Sequence, residues 1–318
     1  MVKTNSVKAW ILASRPKTLS AAAVPVMLGI SAAIMHVGSL HILWFPAMLC
    51  LLFAWVMQID SNLVNDYFDF KHGNDGEHRL GPKRACTQGW VTPQAMKIAI
   101  AITTVLGCAI GLPLIIFGGW TMIIVGILCV AGCYLYTVKL SYLGMGDIMV
   151  LLFFGVVPVC CTYYLVLPPE TRTSIGIDVI ALSITCGMVV DTLLIVNNYR
   201  DYQNDRVTGK QTIVVVFGRK FAEYLYFALG NLAILTVMAG IGYDSTQTVS
   251  PDGIAYQGGH WQGAALGFIY LAFHNHTFWK MKKIHQGKKL NKVLGMTARN
   301  IFIFGIVSTI MLIGSILL

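Results

Sequence analysis

Two stretches of this sequence carry carboxylates and amides at helical spacing. The first reads Asn62-Leu-Val-Asn-Asp66-Tyr-Phe-Asp69-Phe-Lys-His-Gly73, and the second Asn197-Asn-Tyr-Arg-Asp201-Tyr-Gln-Asn-Asp205-Arg-Val-Thr-Gly209. Both follow the pattern Asn, three residues, Asp-Tyr, then Asp, three residues, Gly, with one extra residue between the carboxylates of the second. The offset between Asp66 and Asp201 is 135 residues, which marks a diverged internal repeat. At about 100° per residue, Asn62, Asp66 and Asp69 share a narrow arc of one helix, and Asn197, Asp201 and Asp205 share about 80° of another. Each helix end therefore presents a cluster of oxygen ligands. Close carboxylates repel unless a cation neutralises them. Carboxylate and amide oxygens without His or Cys in register suit Mg²⁺, which keeps few protein ligands and shares the rest with phosphate and water. Lys71, Arg79, Lys83, Arg84, Arg206 and Lys210 stand around them. Acid that holds a metal beside base that holds phosphate predicts a metal-bridged diphosphate. One such motif alone would read equally well as a solvated helix end; two matched motifs at the ends of apolar helices favour a site.

The elements that position these clusters are apolar. Charged residues make up 12% of the 318, about half the share usual for soluble domains. Hydrophobic residues make up 56%, which excludes a soluble enzyme, a disordered chain and a disulfide scaffold. Nine runs are long enough to cross a bilayer as helices, at 18–36, 42–62, 97–117, 120–138, 148–167, 178–198, 221–241, 261–279 and 300–318. The fold class expected is therefore all-α, a polytopic membrane protein of nine transmembrane helices, because lipid leaves no backbone polar group unpaired and the runs are too long for barrel strands. With the N-terminus inside, 22 of the 23 basic residues fall on the inner side and Arg172 alone outside, and both acidic motifs face inward. Residues 1–17 mix Lys3, Lys8, Arg15 and Lys17 with Trp10, Ile11 and Leu12, an interfacial amphipathic pattern without a cleavable signal. Seven of the eight cysteines lie in apolar runs and none forms a C-x-x-C pair, so neither zinc nor a disulfide framework is indicated. Basic residues lie between apolar runs rather than on one face, so no nucleic-acid partner is expected.

The two motifs resemble those of the UbiA superfamily of membrane aromatic prenyltransferases, at Asn62, Asp66 and Asp69 and at Asn197, Asn198, Asp201 and Asp205. The likeness covers the whole chain. Three stretches look most like the branch acting on 1,4-dihydroxy-2-naphthoate in menaquinone biosynthesis: Ser14-Arg15-Pro16-Lys17-Thr18-Leu19, Asn65-Asp66-Tyr67-Phe68-Asp69 with Gly73 and Asp75, and Asn197-Asn198-Tyr199-Arg200-Asp201 with Gly209-Lys210. The resemblance implies nine helices around a central cavity in one domain spanning 1–318, with motifs at 62–75 and 197–210. It implies Mg²⁺, a polyprenyl diphosphate donor, a dihydroxynaphthoate acceptor that loses CO₂, and a demethylmenaquinone product. It implies a bacterial cell membrane with the active site toward the cytoplasmic face. On it, Asp66, Asp69, Asp201 and Asp205 serve Mg²⁺ with Asn62 and Asn198 alongside. Arg84, Lys139, Arg206 and Lys210 hold diphosphate, and Asp75 is a further candidate at the Mg²⁺ end. Other acceptors (4-hydroxybenzoate, a chlorophyllide, haem) are the alternatives within the superfamily. A cation-coupled transporter is the alternative outside it, disfavoured because the carboxylates lie at one membrane side with basic residues beside them.

Other polar residues have plainer readings. Asp191 stays on the face of the second motif, placed either to contact the acceptor or an Asn ligand or to serve packing. Asp60 lies about 160° from Asn62 and is expected to pair with a neighbouring helix. The loop Tyr142-Leu143-Gly144-Met145-Gly146-Asp147 is expected beneath the cavity. His72 and His78 lack zinc spacing, and His274 and His276 read as helix-interface residues. The Lys280–Lys292 run reads as an anchor to anionic lipid.

Overall fold

Apolar runs broken by Gly, Pro and Asn become helices whose ends are set by local chemistry. A computed structural model describes residues 2–71, 73, 80–172, 174–244 and 261–317. The α-helices are α1 (Val7–Ser14), α2 (Leu19–Val37), α3 (Trp44–Lys71), α4 (Pro93–Gly111), α5 (Ile115–Gly118), α6 (Thr121–Leu135), α7 (Gly146–Leu151), α8 (Val157–Val166), α9 (Ile177–Val207), α10 (Ile213–Asp244), α11 (Trp261–Ile284) and α12 (Leu290–Leu317). Among the described residues there is no strand. Ser6 caps α1 by accepting from the Ala9 amide, and Thr92 caps α4 by accepting from the Ala95 amide. Arg15, at φ 51°, turns the chain between α1 and a 3₁₀ turn at Pro16–Thr18.

The expected spans recur, with one difference. Among the described residues eight helices are long and apolar enough to cross a membrane: Val7–Val37, Trp44–Lys71, Pro93–Gly118, Thr121–Leu140, Gly146–Val166, Ile177–Val207, Ile213–Ala239 and Leu290–Gly314. The ninth expected run falls on α11, which carries His274, Asn275 and His276 and is not among those eight. Two of those polar groups, His274 and Asn275, have partners inside the bundle. His274 stacks between Tyr226 and Tyr270 and contacts the Tyr226 carbonyl at 3.1 Å, as an interface histidine should. Asn275 exchanges hydrogen bonds with Asn231 of α10.

Helices α2 and α9 form the middle of the bundle. α9 packs against α10, α7, α8, α12 and α2, while α12 closes back onto α2. Small residues permit the approach, as is usual between helices in lipid. A methyl group on Gly29 of α2 would sit 2.7 Å from the Val159 carbonyl oxygen of α8, and one on Gly155 would sit 2.5 Å from the Ser183 carbonyl oxygen of α9. One cluster of buried side chains runs from Ala21 to Leu312. On the other side α4, α5 and α6 expose Ile98, Ile102, Val105, Ile116, Ile124 and Ile127, the apolar surface a bilayer would cover.

Two helices widen to π-helix, at Tyr136–Leu140 after α6 and at Leu152–Val156 between α7 and α8. Such widenings often mark functional sites. Here both deliver residues to the same place: Tyr136 from one, Phe153 and Phe154 from the other, all lining the central cavity. Gly132 of α6 leaves the room that the Phe153 ring fills.

Candidate active site

The cavity has a volume of about 550 Å³ and lies among α2, α3, α4, α6, α8 and α9. Val26, Phe53, Met57, Phe154 and Leu165 make its walls apolar, while one end is lined by Arg15, Gln58, Asn62, Asn65, Arg84, Asn197 and Arg200. That polar end is where the two acidic motifs meet.

On α3, Asn62 donates to the Ser14 carbonyl and to Thr18 Oγ1, each at 3.0 Å, and its Oδ1 accepts from Gln58 Nε2 at 3.4 Å. It thereby fastens the turn after α1 to the site. One turn on, Asp66 is buried and accepts from the amides of Ala85 at 2.8 Å and Cys86 at 2.9 Å. This carboxylate holds the polar loop that follows α3 and so places Arg84, which pairs with Asp69. Asn65 accepts from Thr137 Oγ1 at 3.0 Å, joining α3 to the π-helical turn after α6.

The second motif is built differently. Arg200, 1% exposed, is the largest fully buried side chain. Its Nε and Nη2 donate to Asp201 at 2.8 and 2.5 Å, Nη2 also to Asn197 Oδ1 at 2.6 Å, and Nη1 to Asn291 Oδ1 at 2.9 Å. Asn291 in turn donates to the Leu80 carbonyl, so α12 and the loop of the first motif are bound to the second. Asp205 is buried, and its Oδ2 has no hydrogen-bond partner. Asp69, Asp201, Arg200 and Lys210 all lie within electrostatic reach of it. The two acidic clusters, 135 residues apart in sequence, thus face one another.

These placements sort the expected site residues. Asp69, Asp201 and Lys210 lie within electrostatic reach of Asp205, and Arg84 pairs with Asp69. Asn198 is buried on α9. Asp66 and Asn62 adjoin the cluster with their oxygens already engaged. Lys139 and Arg206 are exposed and do not line the cavity. Asp75 lies outside the described residues, as do His72, Arg79 and His78. Asp191 is buried on α9 and does not itself line the cavity; it lies beside Asp147 of α7 and within electrostatic reach of the cavity-lining Tyr136. Seven-residue spacing kept it near the motif face, but α7 covers that part of α9. Asp60 behaves as expected, accepting from Thr103 at 2.5 Å and Thr104 at 3.0 Å on α4. The loop at 142–146 is latched to the second motif, since Gln211 donates to the Tyr142 carbonyl at 3.0 Å.

Sequence reasoning quoted Arg15 and Arg200 within the motifs but gave neither a role in the site. The signal for Arg200 was its place inside the motif, one residue before Asp201. The signal for Arg15 was the Arg-Pro step, which sets the turn.

Hard oxygen donors, an unpartnered buried carboxylate oxygen and flanking guanidinium groups fit Mg²⁺ with a diphosphate. Among the described residues no three acidic, His or Cys side chains form a ready-made metal cage.

Comparison with known proteins points the same way. The model of the UbiA prenyltransferase family matches residues 22–301. The 1,4-dihydroxy-2-naphthoate octaprenyltransferase of Escherichia coli is 36% identical over 241 residues, 72% of this chain and 76% of that protein. The enzyme of the same name from Mycobacterium leprae is 32% identical over 240 residues, 72% of this chain and 78% of its own. Human UbiA prenyltransferase domain-containing protein 1 is 29% identical over 238 residues, 69% of this chain and 64% of its own. Among solved structures, a UbiA homologue from Archaeoglobus fulgidus bound to GPP and Mg²⁺ superposes with a TM-score of 0.61 at 15% identity, over 95% of this chain and 99% of that one. A structure of digeranylgeranylglyceryl phosphate synthase gives 0.57 at 17% identity, over 98% and 99%.

Proposed function

The chain belongs to the UbiA prenyltransferase family, and from that premise we propose that it transfers a polyprenyl chain from its diphosphate to 1,4-dihydroxy-2-naphthoate with loss of CO₂, giving demethylmenaquinone. The observation that carries this reading is the buried Asp205 oxygen without a partner, set against the Arg84–Asp69 and Arg200–Asp201 pairs at the polar mouth of an apolar cavity. The acceptor is supported by the relatives of that name. Mg²⁺ would be held by Asp205, Asp201 and Asp69, with Asp66 and Asn62 fixing the loop and turn around them. When bound, the ion would withdraw charge from the leaving diphosphate.

The chain's own groups do the rest. Arg84 and Arg200 line the cavity where the diphosphate would lie. Each is paired with an aspartate, so with donor and ion bound the guanidinium groups would turn to phosphate and the carboxylates would be free to hold the ion. The bond between C1 of the prenyl group and the diphosphate oxygen breaks, and its electron pair leaves with the diphosphate. The apolar walls keep water from the allylic cation until the ring carbon bonds to C1. The aromatic rings of Phe53, Tyr136, Phe153 and Phe154 line that space, where π-electrons favour a cation. Departure of the carboxylate as CO₂ returns an electron pair to the ring.

The whole chain acts as one domain, which the continuous buried cluster from Ala21 to Leu312 supports. It resides in a bacterial cell membrane with the motif end toward the cytoplasm; 22 basic residues assigned to that side support the orientation. The decisive assay uses purified protein in lipid nanodiscs with Mg²⁺, a radiolabelled polyprenyl diphosphate and dihydroxynaphthoate. A labelled naphthoquinol and CO₂ in equal amounts are expected. Product with 4-hydroxybenzoate alone would overturn the acceptor, and no product with any aromatic acceptor would overturn the enzyme.

A further inference from the structure

A second, basic groove lies away from the active cavity. It opens between α11 and α12 and is lined by Phe273, His276, Lys280, Lys292, Met296 and Arg299. Its cations come from two helices, so the cluster is made by packing and not by a run of lysines. Arg299 sits nine residues inside α12, stacked on the Phe273 ring at 4.6 Å, and remains exposed. From Gly253 to the C-terminus the sequence contains no Asp or Glu. Among the described residues, the ion pairs seen are Arg84–Asp69 and Arg200–Asp201, and His285 lies 3.8 Å from Glu223; none of these contacts involves these cations.

The groove lies at the motif end of the bundle, because Asn291 beside it holds Arg200 and the loop carbonyl of Leu80. It is nevertheless separate from the cavity, with which it shares no lining residue. Arginine facing the side of a membrane helix is costly unless its charge meets a phosphate or reaches the interface. Phe273 and Met296 supply an apolar floor beside three cations, the combination that suits a phosphate with acyl chains attached.

We propose that this groove is a binding site for the phosphate headgroup of an anionic phospholipid, held by Lys280, Lys292 and Arg299. It is a site for membrane lipid, not for the prenyl donor.

Full-length protein in detergent is mixed with phosphatidylglycerol, phosphatidylcholine or inorganic diphosphate, and the bound species are counted by native mass spectrometry. Retained phosphatidylglycerol in preference to phosphatidylcholine is expected, and diphosphate should not displace it. Two variants of equal charge are compared. Lys292→Gln/Arg299→Gln removes the groove; Lys288→Gln/Lys289→Gln removes exposed charge just outside it. The groove variant should bind phosphatidylglycerol more weakly by roughly fivefold per charge removed, while the outer variant stays near wild type. Arg299→Lys, which keeps the charge, should retain the lipid and checks folding. Equal losses in both double variants would reduce the effect to general surface charge and overturn the site. Equal retention of phosphatidylcholine, or displacement by diphosphate, would overturn the ligand.

Discussion

The two acidic motifs share a sequence pattern and differ in what their carboxylates do. In the first, Asp66 is spent on the amides of Ala85 and Cys86, and Asp69 on Arg84, a residue brought back by the loop that Asp66 holds. In the second, the cation is Arg200, on the same helix and beside its partner Asp201, and Asp205 keeps a buried oxygen without any partner. One motif builds the wall of the site and the other leaves a buried carboxylate oxygen unpartnered in it. A duplicated pattern thus need not mean duplicated roles. The extra residue between the carboxylates of the second motif accompanies that split, because it moves Asp205 a further step around α9.

This contrast is broken most severely at Arg200. Arg200→Met strips Asp201, Asn197 and Asn291 of a shared donor inside the bundle. A loss of about 3–5 kcal/mol in unfolding free energy is expected, together with activity, by thermal melts in detergent and by the prenyl-transfer assay. Asp205→Asn should separate function from stability. Turnover should fall by at least about a hundredfold, and the melting temperature should hold, since no hydrogen bond to Oδ2 is lost. Asp66→Asn should do both in part. One of the two loop amides loses its acceptor, for about 2 kcal/mol of stability, and turnover falls about tenfold as Arg84 loosens. The smallest effect is expected at Thr137→Val, which frees Asn65 from the π-helical turn and costs about 1 kcal/mol, readable as a melting shift.

Much of this was legible in the residues. Helical spacing put Asp66 with Asp69 and Asp201 with Asp205, and the matched pattern implied one shared site. The apolar runs foretold the helices, and Asp60, turned away from Asn62, pairs with α4 as its angle required. What spacing cannot give is which helix covers a face. Asp191 lies near the motif face by arithmetic, yet α7 packs there and Asp147 meets it. Backbone partners are equally invisible: nothing in the sequence says that the Asp66 carboxylate will take two loop amides. Arg200 stood in the quoted motif, yet charge asymmetry explained the basic residues in bulk and gave it no partner of its own. The apolar runs gave nine spans where eight helices among the described residues are apolar enough, because the run at 261–279 carries His274, Asn275 and His276, of which the first two meet partners on α10.

The central claim is that these unlike halves form one diphosphate site. A double-mutant cycle on geranyl diphosphate binding in the presence of Mg²⁺ tests it directly, with Asp69→Asn, Asp205→Asn and the pair, by isothermal titration in nanodiscs. Each single change should weaken binding more than about tenfold, and the pair should bind little worse than the weaker single, a coupling above about 1 kcal/mol. Strictly additive losses would mean that Asp69 and Asp205 act on separate ligands, and the shared site would be wrong.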